Sequence, residues 1–123
     1  MKILTTEIFV TLASSQTALL TDFYKLLTDT EPTVSSSRYA EFQLHRLRLA
    51  IFTPKGDNAA EFAAPNSGAM SLCLEVDDLD AAIARLTHLG YPPSGDIMHA
   101  AHGKEIYAYD PDGNRLILHQ AAA

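Results

Sequence analysis

The chain has 123 residues, of which 47% are hydrophobic and 20% are charged. This composition predicts one globular domain and excludes the disordered and low-complexity classes. Fifteen acidic residues against nine basic ones give a formal net charge of −6, which argues against nucleic acid or anionic lipid as a partner.

The cysteine content and the apolar runs bear on localisation. Cys73 is the single cysteine, so no internal disulfide can form and nothing requires an oxidising compartment. No stretch approaches the ~20 apolar residues of a membrane span, and Glu7 interrupts the N-terminal apolar segment that superficially resembles a signal peptide. We therefore expect a cytoplasmic protein with no membrane association.

The first half of the chain predicts a strand, a helix and a hairpin. Residues 7–12 alternate in polarity, as a strand does, and the Ser14-Ser15 pair can cap a helix over residues 16–28, where apolar residues follow a helical spacing. A loop is expected next. Residues 39–44 and 47–53 then alternate as two strands that turn near residues 45–46.

The second half repeats this order, which suggests an internal duplication. Residues 71–76 alternate as a strand, Asp78 can cap a helix over residues 79–89, and Gly90 can end that helix. A second hairpin follows. Its strands are residues 105–109 and 115–119, and Asp110-Pro111-Asp112-Gly113 has the composition of a tight turn.

The alternation gives each strand two different faces. One face is strongly apolar and is expected to lie under the helices: Ile8, Val10, Leu12, Leu47, Leu49, Ile51, Leu72, Leu74, Val76, Leu116 and Leu118. The other face mixes acidic and aromatic residues, and it is too polar for a core and too aromatic for open surface. That mixture predicts a cleft or an interface.

Three segments carry a family resemblance. SLCLEVDDLDAAIARLTHLGYPP, the following GKEIYAYDPDGNRLILHQ and the earlier DFYKLL resemble the vicinal-oxygen-chelate superfamily of glyoxalase I, extradiol dioxygenases and bleomycin-resistance proteins. The resemblance implies an α+β fold of two βαβββ modules that form a half-open mixed β-barrel with the helices on its outer face. We expect a single domain over residues 1–123, with modules at about 1–56 and 69–123, and a homodimer with either swapped or unswapped modules.

Enzymes of this superfamily hold a divalent metal with one side chain from the first and one from the last strand of each module. Matching the motifs puts these positions at Phe9, Ala50, Ser71 and Ile117. Three of them lack a donor atom and a neutral hydroxyl is a poor ligand, so the usual metal centre is not expected. We therefore predict no metal and no other cofactor.

The acidic and aromatic face suits a flat or cationic organic ligand, because cations stack on aromatic rings and pair with carboxylates. Arg48 introduces an alternative, since it can balance nearby glutamates or receive an anionic group. The candidate ligand-binding residues are Glu7, Phe9, Tyr39, Glu41, Arg48, Phe52, Cys73, Glu75, Tyr107 and His119.

Other candidate chemistry is limited to three histidines and the cysteine. His99 and His102 are spaced for a displaced metal site, but we interpret their segment as a solvated loop. His119 can act as an acid, a base or a hydrogen-bond donor, or it is a polar residue at a rim. Cys73 is expected to be a buried, inert thiol because no activating partner is apparent.

The leading hypothesis is a metal-independent protein that sequesters an aromatic, cationic compound, such as a drug or antibiotic, and so resembles bleomycin-resistance proteins. The alternative is a lyase or isomerase, similar to glyoxalases and dioxygenases, that uses a relocated metal or a Glu or His base such as Glu75 or His119. A third possibility is a structural module whose mixed face is buried in an assembly.

Overall fold

A computed structural model describes residues 3–63 and 68–123. Contacts divide the chain into two compact units, with the boundary between Phe62 and Ala63. We call them the first unit and the second unit.

The first unit contains one helix and one four-stranded sheet. Its elements are β1 (Val10–Ala13), α1 (Thr17–Thr28), β2 (Val34–Ser35), β3 (Tyr39–Leu44) and β4 (Leu47–Phe52). The strand order is β1-β4-β3-β2, with β1 parallel to β4 and the other neighbours antiparallel. A short 3₁₀ helix follows β4 and ends the unit.

The second unit repeats this plan. It contains β5 (Leu72–Glu75), α2 (Leu79–Leu89), β6 (Met98–Ala100), β7 (Gly103–Tyr109) and β8 (Arg115–Ala121). The sheet order is β5-β8-β7-β6, again with one parallel pair, β5 and β8. The α+β class and the two βαβββ modules are therefore confirmed.

Helix α2 begins and ends where the sequence predicts. The Asp78 carboxylate accepts a hydrogen bond from the Ala81 amide at 3.1 Å, and Gly90 ends α2 in the left-handed conformation. The predicted cap of α1 by the Ser14-Ser15 pair was wrong: the N-cap residue is Gln16, which makes no capping hydrogen bond through its side chain, and the Ser14 hydroxyl accepts from the Gln16 amide before the helix begins. Within residues 3–63 and 68–123, no helix is long and apolar enough to cross a bilayer.

Each helix covers one face of its own sheet. Helix α1 packs on β3 and β4, and α2 packs on β8. The buried apolar side chains of the described residues are Leu20, Phe23, Tyr24, Ala40, Phe42, Leu49, Ala50 and Ile51 in the first unit and Leu79, Leu86, Ile106, Ala108, Leu116 and Leu118 in the second. Burying an apolar side chain of this size contributes about 1.5–3 kcal/mol, so these faces hold the elements together.

The sequence assigned the apolar face correctly for the inner strands and less well for the outer ones. Leu49 and Ile51 of β4 and Leu116 and Leu118 of β8 are buried as expected. The assignment of Ile8 was wrong. It is 83% exposed, because β1 pairs with β4 only from Val10 onward and no strand lies beside Ile8. The remaining members of the predicted face, Val10, Leu12, Leu47, Leu72, Leu74 and Val76, are half-buried.

Two short strands were missed in segments that the sequence assigned to loops. Strand β2 has two residues and pairs with β3, whereas β6 has three and pairs with β7. Both are exposed edge strands of two or three residues, which is too short for alternation to distinguish a strand from a loop. His99 therefore lies in β6 rather than in a loop.

The turn between β7 and β8 is organised by Asp110, which is only 3% exposed. Its carboxylate accepts hydrogen bonds from the backbone amides of Asp112 and Asn114, each at 2.9 Å, and from the Asn114 side chain at 2.8 Å. Gly113 completes the turn at a φ of 83°. The predicted turn is confirmed, and its geometry fixes how β7 aligns with β8.

We predict that Asp110→Ala lowers the free energy of unfolding by about 2–4 kcal/mol, because three donors lose a charged, buried acceptor. Urea denaturation followed by circular dichroism measures the change. Asp96→Ala, at an exposed position, is the control and should stay within about 0.5 kcal/mol of the parent protein. Equal effects of the two substitutions would contradict this role of the turn.

Candidate functional site

In the first unit, Arg48 is the centre of a cluster of five predicted ligand-binding residues, which we call the arginine cluster: Glu7, Phe9, Tyr39, Glu41 and Arg48. The guanidinium of Arg48 lies 2.6 Å from Glu7 Oε1 and 3.8 Å from Glu41 Oε1. Its Cζ atom is 3.8 Å from the centroid of the Phe9 ring. The guanidinium of Arg48 thus covers the Phe9 ring and pairs with the carboxylates of Glu7 and Glu41.

Strand pairing brings the tyrosine and the remaining phenylalanine to the same region. The Tyr39 hydroxyl donates to Glu41 Oε1 at 2.6 Å, and this bond to a carboxylate is the first cause of a raised pKa for Tyr39, followed by desolvation. Phe52 pairs with Tyr39 across β3 and β4 and packs edge-on against Phe62, with ring centroids 5.3 Å apart. The sequence did not predict a role for Phe62.

In the second unit, His119 is the centre of a polar cluster, which we call the histidine cluster: Glu75, His102, Glu105 and His119. His119 Nδ1 lies 2.6 Å from Glu75 Oε1, and His119 Nε2 lies 2.8 Å from His102 Nδ1. An ionised carboxylate only accepts hydrogen bonds, so His119 donates from Nδ1 to Glu75. In a neutral imidazole with its proton on Nδ1, the other nitrogen, Nε2, accepts a hydrogen bond, and His102 Nδ1 then donates to it.

The sheet register explains three of these four positions. Glu75 of β5 and Glu105 of β7 are both level with His119, one on each side of β8. His102 lies in the turn between β6 and β7, where its carbonyl accepts from the Ala122 amide at 3.1 Å. The spacing of His99 and His102 had been considered for a displaced metal site and interpreted as a solvated loop, whereas the contact that the structure shows is between His102 and His119.

The sequence held only part of the signal for this row. A four-residue turn closed at residues 110–113 would put Tyr109 opposite Asn114, whereas in the structure the Asp110 amide donates to the Asn114 carbonyl at 3.0 Å and Tyr109 lies opposite Arg115. Counting outward from this observed pair puts Glu105 opposite His119. His102 comes directly before β7, in the turn that joins β6 to β7. The missing information was β6, without which the turn that carries His102 cannot be located.

Cys73, Ile117 and Tyr107 form the adjacent row of the second sheet. Tyr107 is 41% exposed. Cys73 is exposed rather than buried, contrary to the expectation. Its pKa is nevertheless raised, first by partial desolvation of the thiol and then by the negative charges of Glu75 and Glu105. These carboxylates disfavour the thiolate, which agrees with an unreactive thiol.

Comparison with known proteins identifies the family. The model of the Glyoxalase/Bleomycin resistance protein/Dioxygenase superfamily matches residues 9–118. The chain belongs to this superfamily. No curated protein sequence is significantly similar to the chain.

Solved structures of superfamily proteins have the same fold. The fosfomycin resistance protein FosX from Listeria monocytogenes is 19% identical with a TM-score of 0.76, and the match covers 98% of this chain and 96% of that one. A glyoxalase-related enzyme from Fulvimarina pelagi is 20% identical with a TM-score of 0.75, over 94% and 88% of the two chains. A glyoxalase/bleomycin resistance protein from Catenulispora acidiphila is 22% identical with a TM-score of 0.66, over 94% and 97%.

The four positions that the sequence motifs match to the superfamily's metal ligands do not offer the donor atoms that a metal ion needs. Phe9 lies against the positive guanidinium of Arg48, and Ala50 is buried with no donor atom in its side chain. The Ser71 hydroxyl accepts a hydrogen bond from Arg115 at 3.2 Å. Ile117 has no donor either. Zinc and related ions need imidazole, carboxylate or thiolate ligands, and these positions supply none.

We predict that the Cys73 thiol reacts with dithionitrobenzoate more slowly than glutathione does at pH 8, because its raised pKa leaves less thiolate. The pH of half-maximal rate should fall in Glu75→Gln, which removes one of the two opposing charges. Glu61→Gln, in the first unit, is the control and should leave the profile unchanged. A rate that already saturates near neutral pH would contradict the interpretation.

Proposed function

We propose that this superfamily member binds an aromatic, cationic small molecule and releases it unchanged. The observation that carries the proposal is the composition of the superfamily's four metal-ligand positions, Phe9, Ala50, Ser71 and Ile117. Binding would need no metal there, and these side chains cannot polarise a substrate as a metal does. The proposed protein sequesters its ligand.

The preference for a cation is supported by the charges on the two mixed sheet faces. In the arginine cluster the chain's own guanidinium already lies on an aromatic ring between two carboxylates, so this environment stabilises a planar cation. In the second unit the half-exposed ring of Tyr107 shares its row with the thiol of Cys73 and lies two residues from Glu105. A cation on an aromatic face gains about 0.5–2 kcal/mol.

Relatives support a drug or antibiotic as the ligand class. Neighbouring structures are named for resistance to fosfomycin and bleomycin, and sequestration of a toxic compound is a function that needs no catalytic group. We also propose a cytoplasmic homodimer. The exposed apolar side chains of Ile3, Leu4 and Ile8 support it, because apolar residues exposed together mark an interaction surface.

A second candidate function is general-base catalysis, and the pair of Glu75 and His119 favours it. The Glu75 carboxylate holds His119 Nδ1, and His119 Nε2 contacts His102 Nδ1 at 2.8 Å. Once His102 rotates away, Nε2 can take a proton from a substrate. In this enzyme the half-buried His119 would be the base. Liquid chromatography coupled to mass spectrometry, applied to the compound recovered after binding, separates the two functions. A lyase changes the mass of the compound, an isomerase changes its retention time, and a binding protein changes neither.

We predict that ethidium binds more tightly than the anionic dye anilinonaphthalene sulfonate, and equally well with and without EDTA. Isothermal titration calorimetry provides both measurements. Tyr107→Ala should weaken ethidium binding by about 1–4 kcal/mol, the range for a buried anchor. Leu26→Ala, at an exposed position on α1, is the matched control. Tighter binding of the anion, or loss of binding in EDTA, would overturn the proposal.

A charge substitution tests the first unit separately. We predict that Arg48→Gln strengthens ethidium binding about two- to thirtyfold, because the Phe9 ring and two carboxylates become available to the ligand. Arg46→Gln removes the same charge at an exposed position of the same hairpin and should have little effect. If the two variants bind alike, the arginine cluster is not part of the ligand site.

A further inference from the structure

Three ligand atoms converge in the histidine cluster at positions outside the superfamily's metal-ligand set. One nitrogen of His102, one nitrogen of His119 and one carboxylate oxygen of Glu105 all lie within 4.8 Å of one another. The shortest of these separations is the 2.8 Å between His102 Nδ1 and His119 Nε2. We propose that these three residues form a site for a divalent transition-metal ion such as Zn²⁺.

The separation of the two imidazole nitrogens suits an ion after a small rearrangement. Zinc binds imidazole nitrogen at about 2.0–2.1 Å with tetrahedral geometry, so two ligating nitrogens stand about 3.3 Å apart. The two imidazole nitrogens therefore have to separate by roughly 0.5 Å from their hydrogen-bonded distance. Rotation of the exposed His102 side chain provides this movement, since it leaves the backbone of the turn in place.

Glu75 provides the hydrogen-bond acceptor for the ring nitrogen of His119 that would not bind the metal. Its carboxylate holds the proton on His119 Nδ1, so the lone pair of Nε2 points away from Glu75 and toward His102. Metal-ligating histidines nearly always donate their other N–H in this way, which fixes the ring and increases its basicity. Glu75 is thus a positioning residue, and Glu105 is the carboxylate that can reach the ion.

The backbone keeps His102 at this place. Gly103 follows it at a φ of 139°, and a Cβ atom there would lie 2.1 Å from the Gln120 carbonyl oxygen. This close approach, together with the bond from the Ala122 amide to the His102 carbonyl, ties the turn to β8. His102 is exposed while Glu105 and His119 are half-buried, so an ion enters from solvent without opening the fold.

Two imidazoles and one carboxylate determine the class of ion. Imidazole favours zinc, nickel, copper and iron over magnesium and calcium, which prefer oxygen ligands. Three protein ligands leave a fourth position, which water can fill. An ion on Nε2 removes His119 as a general base, so this site excludes the general-base alternative and leaves open the alternative that uses a relocated metal.

The test uses the untagged full chain, freed of metal with chelator and titrated with zinc chloride by isothermal titration calorimetry. We expect one ion per chain. His102→Ala and Glu105→Gln should each weaken binding at least tenfold, and Glu75→Gln should weaken it less. His99→Ala removes an exposed imidazole three residues away in β6 and should bind as the parent protein does. Circular dichroism checks that each variant is folded.

Cobalt(II) provides a second readout, because a tetrahedral site gives intense visible absorption and a thiolate ligand adds a near-ultraviolet charge-transfer band. The proposal predicts the visible bands without the thiolate band, and the same spectrum for Cys73→Ser. It is overturned by an absence of binding, by equal losses in His99→Ala and His102→Ala, or by a thiolate band. Because the probe is the metal alone, the result is independent of the proposed organic ligand.

Discussion

The register of β8 between β5 and β7 is the constraint on which the second unit depends. Asp110 closes the β7–β8 turn with three hydrogen bonds to its carboxylate, and the pairs that follow put Glu105, His119 and Glu75 in one row. A shift of one residue would turn His119 toward α2 and bring Leu118 to solvent. The acidic and aromatic face, the raised pKa of Cys73 and the histidine cluster all follow from this alignment.

The first unit is governed instead by one charge. Arg48 joins Glu7, which precedes β1, to Glu41 of β3, and its guanidinium covers the Phe9 ring. The same residues that would accept a cationic ligand are therefore engaged by a side chain of the protein. A ligand has to displace Arg48 or bind beside it, so the apparent affinity contains the free energy of breaking these contacts.

The sequence predicted the regular elements well where two signals agreed. For α2, the capping Asp78 and the terminal Gly90 enclosed a helical pattern, and the observed bounds, Leu79–Leu89, are those predicted. Strand β3 alternated clearly and was also located. Short exposed strands such as β2 have no alternating pattern, and Ile8 lies outside the sheet although its residue type suits a strand. In those cases tertiary pairing decided the outcome.

The candidate sites were less predictable, because they depend on contacts between distant segments. Alternation put Glu7 and Arg48 on one face, but the 2.6 Å contact between residues 41 positions apart needs the parallel pairing of β1 with β4. Likewise His119 was recognised as a candidate, whereas its contact with His102 depends on the close approach of Gly103 to β8. Residue type and spacing predicted which side chains share a strand face, but the contacts between distant residues could be identified only from the fold.

The central claim is that this chain keeps the superfamily fold without the superfamily metal centre, and that its metal-binding groups lie elsewhere. Anomalous X-ray diffraction at the zinc edge, from crystals soaked in zinc chloride, tests both parts at once. The account predicts an anomalous peak bonded to His102, Glu105 and His119. A peak beside Phe9, Ala50, Ser71 or Ile117, or no peak at the histidine cluster, would contradict it.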